Sequence, residues 1–276
     1  MALGQSSASA DCQGGCRWCD GCRPAKVADV ELNLKSYTLI ARQDSERLAQ
    51  VAALAGLDAA IPTCPGWTVA YLLRHMGGLA AGVADFLRSA EAPTEATMRS
   101  WFRSPPPDDR LIDWFMERQR DAEDALLRAD PETAYWTFLP TDSPVEFWAR
   151  RHAHETAIHR VDLELTAGLV PTAFDPAFAM DGIDELVAYH AQPGGALADA
   201  VPGLLRIHAS DIDERRLIQF GAHSGTSRDE CVVTGTASDL YVALWNRGSV
   251  NLRVEGRVDV LQRWHDEARW TFGITE

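Results

Sequence analysis

A chain of 276 residues, 46% apolar and 24% charged, is long enough for one large domain or two and has the balance of an ordinary globular protein. Its formal net charge of −14 repels phosphate backbones, so nucleic acid is not an expected partner. No apolar run has the length of a membrane span and residues 1–30 lack a signal-peptide core, so a cytoplasmic protein without membrane association is expected. Among the 26 basic residues only Lys26 and Lys35 are lysines.

Residues 1–30 read as a cysteine-containing extension, expected to be disordered; Met1–Asp11 is small, polar and aperiodic. Cys12, Cys16, Cys19 and Cys22 follow in a glycine-rich span. Four thiols so close suit zinc or an iron–sulfur cluster, and equally a metal-free tail. Their first spacings match the cluster loop of radical S-adenosylmethionine enzymes, but that loop opens a β/α barrel and the residues that follow here read as helix. A disulfide framework does not suit a reducing cytoplasm. Cys64 and Cys231 read as buried core residues.

Residues 31–56 predict a first helix, with an apolar stripe through Leu34, Tyr37, Leu48 and Val51 and a stop at Gly56. Two prolines and a glycine turn the chain through Ile61–Thr68, and Thr68 caps a second helix to about Ala90. His75 lies two turns into it among apolar residues and glycines and is expected to point inward. Residues 91–107 predict a loop, and Asp108 or Asp109 a cap for a third helix to about Ala129. Residues 132–143 hold Trp136 and Phe138, candidates for a lid or pocket wall. The fourth helix, about 145–167, follows Pro144 and ends at Gly168.

Within that helix, Arg150–Asp162 concentrates the chemistry. Glu155 and His159 are four residues apart, so they project from one face and can share a divalent metal. His152 and Asp162 fall on the same side, whereas Ala153 and Ala157 suit close packing on the other. The protease motif H-E-x-x-H fails, because Ile158 stands four after His154 and the second histidine comes one residue late. A solvated polar face is the plain alternative for this stretch. Four such helices make a bundle, whose core commonly houses metal sites.

After Gly168 the pattern changes. Pro171–Pro176 reads as a linker, 177–190 as helix, Leu204–Ala209, Arg215–Phe220 and Cys231–Gly235 as strands, and Ala237–Asn246 as helix. Val250–Val254 reads as strand and Val258–Trp270 as a last helix. Three segments result: the extension 1–30, a four-helix metal-binding bundle 31–168, and a smaller α+β domain 177–272.

Thr63-Cys64-Pro65-Gly66-Trp67-Thr68-Val69, then Leu73-Arg74-His75, resembles the opening of the mycothiol-dependent maleylpyruvate isomerase family, of the DinB-like thiol-transferase superfamily. His154–Arg160 is similar to its second signature. Asp181-Gly182, Leu205–Ala209, Gly235–Leu240 and Leu244-Trp245 resemble its C-terminal domain, so the likeness covers about residues 31–270. It implies a DinB-like four-helix bundle with a divalent metal, typically Zn2+, on His75, Glu155 and His159, and mycothiol, a low-molecular-weight actinobacterial thiol, as cosubstrate. The arginine-rich composition agrees with such a source. The family's isomerase also relies on an arginine from the C-terminal domain, for which Arg247 is the candidate here. The cysteine extension and His152 are outside the recognised pattern.

The expected activity is thiol-dependent isomerisation or S-conjugation of a small electrophilic, carboxylate-bearing substrate. His152 or His154 would move the proton, Arg247 would hold the carboxylate, and Trp67 and Trp136 would wall the cofactor pocket. The competing readings are a non-catalytic metal- and thiol-binding redox regulator, with Cys12–Cys22 as sensor, and metal-assisted hydrolysis with Glu155 as base.

Overall fold

Helix α1, Leu34–Ala55, begins where Asn33 accepts from the Lys35 and Ser36 amides while Ser36 Oγ accepts from the Asn33 amide, a closed capping box. The computed structural model describes residues 31–103, 105–192, 195, 197, 202–221, 230–248 and 251–267; Cys12, Cys16, Cys19 and Cys22 lie outside them. Thr68 caps α2, Val69–Ser89, through the Tyr71 amide. Its Leu72, Leu73 and Met76 are fully buried, each worth about 1.5–3 kcal/mol of apolar transfer.

The stretch 91–107, expected to be loop, contains a short helix α3, Glu95–Trp101. Thr94 caps it through the Thr97 amide, but it buries no residue and so carries no apolar period to read. The expected cap at Asp108 or Asp109 is absent: a 3-10 turn, Asp108–Arg110, leads into α4, Leu111–Arg128, without a capping side chain. Asp108 pairs instead with Arg74 on α2.

Helix α5, Pro144–Thr166, is the most enclosed helix of the described residues. Every residue from Arg151 to Glu164 is buried, charged ones included. A helix enclosed on all sides cannot show an amphipathic stripe, which is why its polar residues look like a solvated face in sequence. They are paired across elements instead. Arg160 meets Asp44 of α1 at 2.7 Å and Glu164 at 2.6 Å, and Arg47 of α1 meets Glu164 at 3.1 Å. Ala153 and Ala157, fully buried on the Arg160 face, let α1 approach.

Helix α6, Pro176–His190, is capped by Asp175 and lies against α7, Ala237–Leu244. Strands β1, Gly203–Ala209, β2, Glu214–Phe220, β3, Glu230–Gly235, and β4, Arg253–Gly256, form one sheet in the order β2-β1-β3-β4. Only β1 and β3 run parallel. The last strand starts three residues and ends two residues later than the predicted 250–254, and α7 stops before Asn246, which takes a positive φ of 62°. Helix α8, Val258–Glu267, buries Trp264 over the sheet. One apolar cluster runs from Tyr37 and Ala153 through Phe178 to Leu205 and Trp264, so bundle and α+β region share a core. No helix among the described residues is long and apolar enough to cross a membrane.

Candidate metal centre

The α-helical period puts Glu155 Oε2 3.5 Å from His159 Nε2. Helix α2 brings His75 opposite them, its ring 5.4 Å from that of His159. One ligand atom from each of His75, Glu155 and His159 lies within 4.8 Å of the others. Two imidazoles and one carboxylate are the donor set of catalytic zinc and related divalent sites, and three protein ligands leave coordination positions for a thiol or substrate.

The surroundings prepare these donors. Burial, with His159 second, pushes the His75 imidazole down to about 4, so it is neutral and able to ligate. Burial would raise the Glu155 pKa, but Arg151, 3.0 Å away, and the two histidines hold it below the ordinary value. His159 Nδ1 lies 2.8 Å from Asp162 Oδ2. Asp162 is fully buried; burial opposes its charge, yet Arg247 and His159 keep its carboxyl well below the usual range. An ionised Asp162 accepts the Nδ1–H of His159, which in the neutral imidazole leaves the lone pair on Nε2, toward Glu155.

Asp162 is held by distant segments. Thr63 Oγ1 donates to it at 2.5 Å and the Cys64 thiol at 3.5 Å. Arg247, just beyond α7, donates twice, from Nε at 2.9 Å and Nη2 at 3.0 Å, and its Nη1 donates to the Trp245 carbonyl. Arg247 therefore reaches the centre through Asp162. Cys64, expected in the core, is half-buried beside this group, with its thiol pushed up to about 12 by burial and then Asp162. Thr63 and Phe102 are members to which the sequence assigns no role at the site, and Cys64 one that it assigns to the core. The turn of prolines at 62–65 and the family-like motif that starts at Thr63 are the available signals for Thr63 and Cys64.

Trp67 covers both imidazoles, its ring 4.8 Å from His75 and stacked 5.9 Å from His159. Phe102 stacks 6.2 Å from His75. Trp136 and Phe138 line a chamber of about 290 Å³ between α2, α3 and α5, whose polar lining is Arg151, His152 and Glu155. His152 is buried, and burial pushes its imidazole down to about 4. His154 is not brought to this group. It sits on another face of α5, 3.0 Å from the Tyr241 hydroxyl and 2.8 Å from Asp181 and stacked on Phe178.

Residues 39–164 match the family profile described as the mycothiol maleylpyruvate isomerase N-terminal domain, and residues 177–263 that described as the MDMPI C-terminal domain. A crystal structure of the mycothiol-dependent maleylpyruvate isomerase shares the fold, with a TM-score of 0.63 and 18% identity, covering 82% of this chain and 94% of that one. A histidine-to-alanine mutant of such an isomerase matches with the same score and coverage at 19% identity. No curated protein matches the chain.

Proposed function

Because the chain belongs to the mycothiol-dependent maleylpyruvate isomerase family, we propose that it is an enzyme with mycothiol as thiol cosubstrate and a divalent metal, zinc foremost, on His75, Glu155 and His159. Its reaction is isomerisation or S-conjugation of a small electrophile. The observation that carries this reading is the convergence of two imidazoles and a carboxylate within 4.8 Å, one imidazole oriented by a buried carboxylate.

A metal held by His75, Glu155 and His159 would lower the pKa of a thiol bound to it, so that thiolate would be available near neutral pH. The remaining work falls to the chain. Asp162 fixes the tautomer of His159, and Arg247 balances the charge of Asp162. Trp67 keeps water from the two imidazoles. His152, on the chamber wall one turn before Glu155, gives or takes the proton. His154, engaged by Tyr241 and Asp181, takes no part.

In an isomerisation the thiolate sulfur adds to one carbon of a conjugated double bond and the electron pair moves onto the conjugated carbonyl. Rotation about the resulting single bond and elimination then return the thiolate. In a conjugation the adduct takes a proton and leaves. The test is elemental analysis of the purified full chain beside His75→Ala. About one metal per chain, lost in the variant, is expected. Metal retained in full by His75→Ala would place the centre elsewhere.

A further inference from the structure

The chamber beside the metal centre constrains what kind of electrophile fits. Its volume of about 290 Å³ is near the lower end for a small-molecule site. Phe86 and Trp148 stack at 4.2 Å and 13°, and Trp101 and Trp136 stand 5.0 and 5.1 Å from Phe86. The polar ends of two of these indoles are tied elsewhere: Trp101 Nε1 donates to Asp85, and Trp148 Nε1 to the Trp136 carbonyl. Ring faces, not N–H groups, are therefore what these two indoles offer the cavity. Gly82 makes the arrangement fit, since a Cβ there would stand 2.9 Å from the Trp101 ring.

All the polar lining lies on one stretch of α5, and Glu155 belongs both to the chamber and to the three donors. The cavity thus meets the three donors at Glu155 and is apolar away from it. Arg151 is the one cation among its lining residues, and Glu155 and Glu185 already flank it. A second carboxylate pushed toward the aromatic wall would be desolvated with no partner.

Resting on the thiol-enzyme reading above, we propose that the substrate carries an apolar, aromatic-sized body in this chamber, with only its electrophilic end polar. A compact diacid such as maleylpyruvate is the poorer substrate. Leu79 of α2, half-buried on the chamber wall, is then a specificity residue.

The test compares 1-chloro-2,4-dinitrobenzene with maleylpyruvate on the metal-loaded full chain with mycothiol. In the first reaction the thiolate forms the C–S bond, chloride leaves with the C–Cl electron pair, and the thiol proton passes to solvent. The aromatic electrophile should be favoured about tenfold or more in kcat/KM, and Leu79→Trp should reduce that preference about tenfold with metal content unchanged. Equal or better use of maleylpyruvate by the native chain, or equal losses for both substrates in the variant, would overturn the inference. Binding of the uncharged fluorophore N-phenyl-1-naphthylamine decides the chamber without turnover. One site per chain, lost in Leu79→Trp, supports the apolar site even if no electrophile reacts, a result that would sink the thiol-enzyme reading alone. Absence of such a site overturns the inference itself. Met98→Trp, filling the chamber from α3, repeats the test should Leu79→Trp misfold.

Discussion

Asp162 donates no atom to the proposed metal, yet it links four residues from three segments: His159 on its own helix, Thr63 and Cys64 before α2, and Arg247 after α7. Removing its charge leaves the partly buried Arg247 without its counter-ion and frees the His159 ring. Asp162→Asn is expected to weaken metal binding about 10–100-fold, measured by competition with a chelator. An unchanged affinity would reduce Asp162 to a packing residue. Protons test the same region. Unfolded histidines titrate near 6.5, whereas His75 and His152 are held at about 4. Between those values the unfolded chain binds more protons, so stability falls as pH drops. Asp44 opposes this: burial lifts its carboxyl to about 6, so the folded chain keeps a proton that the unfolded one has lost. With His190, which burial also pushes down to about 4, three imidazoles outweigh one carboxylate. The urea midpoint of metal-free protein should therefore rise from about pH 5 to about pH 7. A flat or falling profile would show that the imidazoles are solvated.

At the scale of elements, α5 works because its neighbours come close enough to meet its charges. Gly182 in α6 shows how tight this is. A Cβ there would stand 2.3 Å from the Tyr241 ring and 2.8 Å from that of His154. In an open helix Gly→Ala stabilises by about 1 kcal/mol. Here Gly182→Ala is expected to destabilise, by about 1–3 kcal/mol, because the His154–Tyr241 pair must move. The sign, read from denaturant melts, decides. Helix α3 depends on the same device: Gly78 lies under Phe102 and Gly82 under Trp101, so α2 supplies a smooth seat for two rings beside the centre.

For the whole molecule, the shared core has a thermodynamic consequence. Arg150 and Arg151 of α5 pair with Asp181 and Glu185 of α6, and Arg247 reaches back to Asp162. With apolar packing continuous from α1 to the sheet, a large part of the bundle core cannot melt without exposing that of the α+β region. Thermal unfolding of the described body is expected as one transition, coincident in far-ultraviolet circular dichroism and tryptophan fluorescence. Two resolved steps would mean that bundle and α+β region are energetically independent.

How much of this was readable beforehand follows the range of the interactions. Glu155 and His159 sit on one helix, where the 3.6-residue period alone brings them together, and His75 was approached through its apolar neighbours and the family motif around it. The long helices and the first three strands declared themselves through the same short-range periods and through Thr68, Pro144 and Gly56. Tertiary structure decided the rest. The burial of α5 depends on acids and bases in other elements, and local pattern registers none of them. The roles of Thr63, Cys64 and Arg247 depend on contacts with Asp162 across 85–99 residues. His152 and His154 are two residues apart in sequence, yet one lines the chamber and the other joins Tyr241 and Asp181. Local periodicity assigns residues to faces of a helix; only the packing of the surrounding elements determines what each face meets.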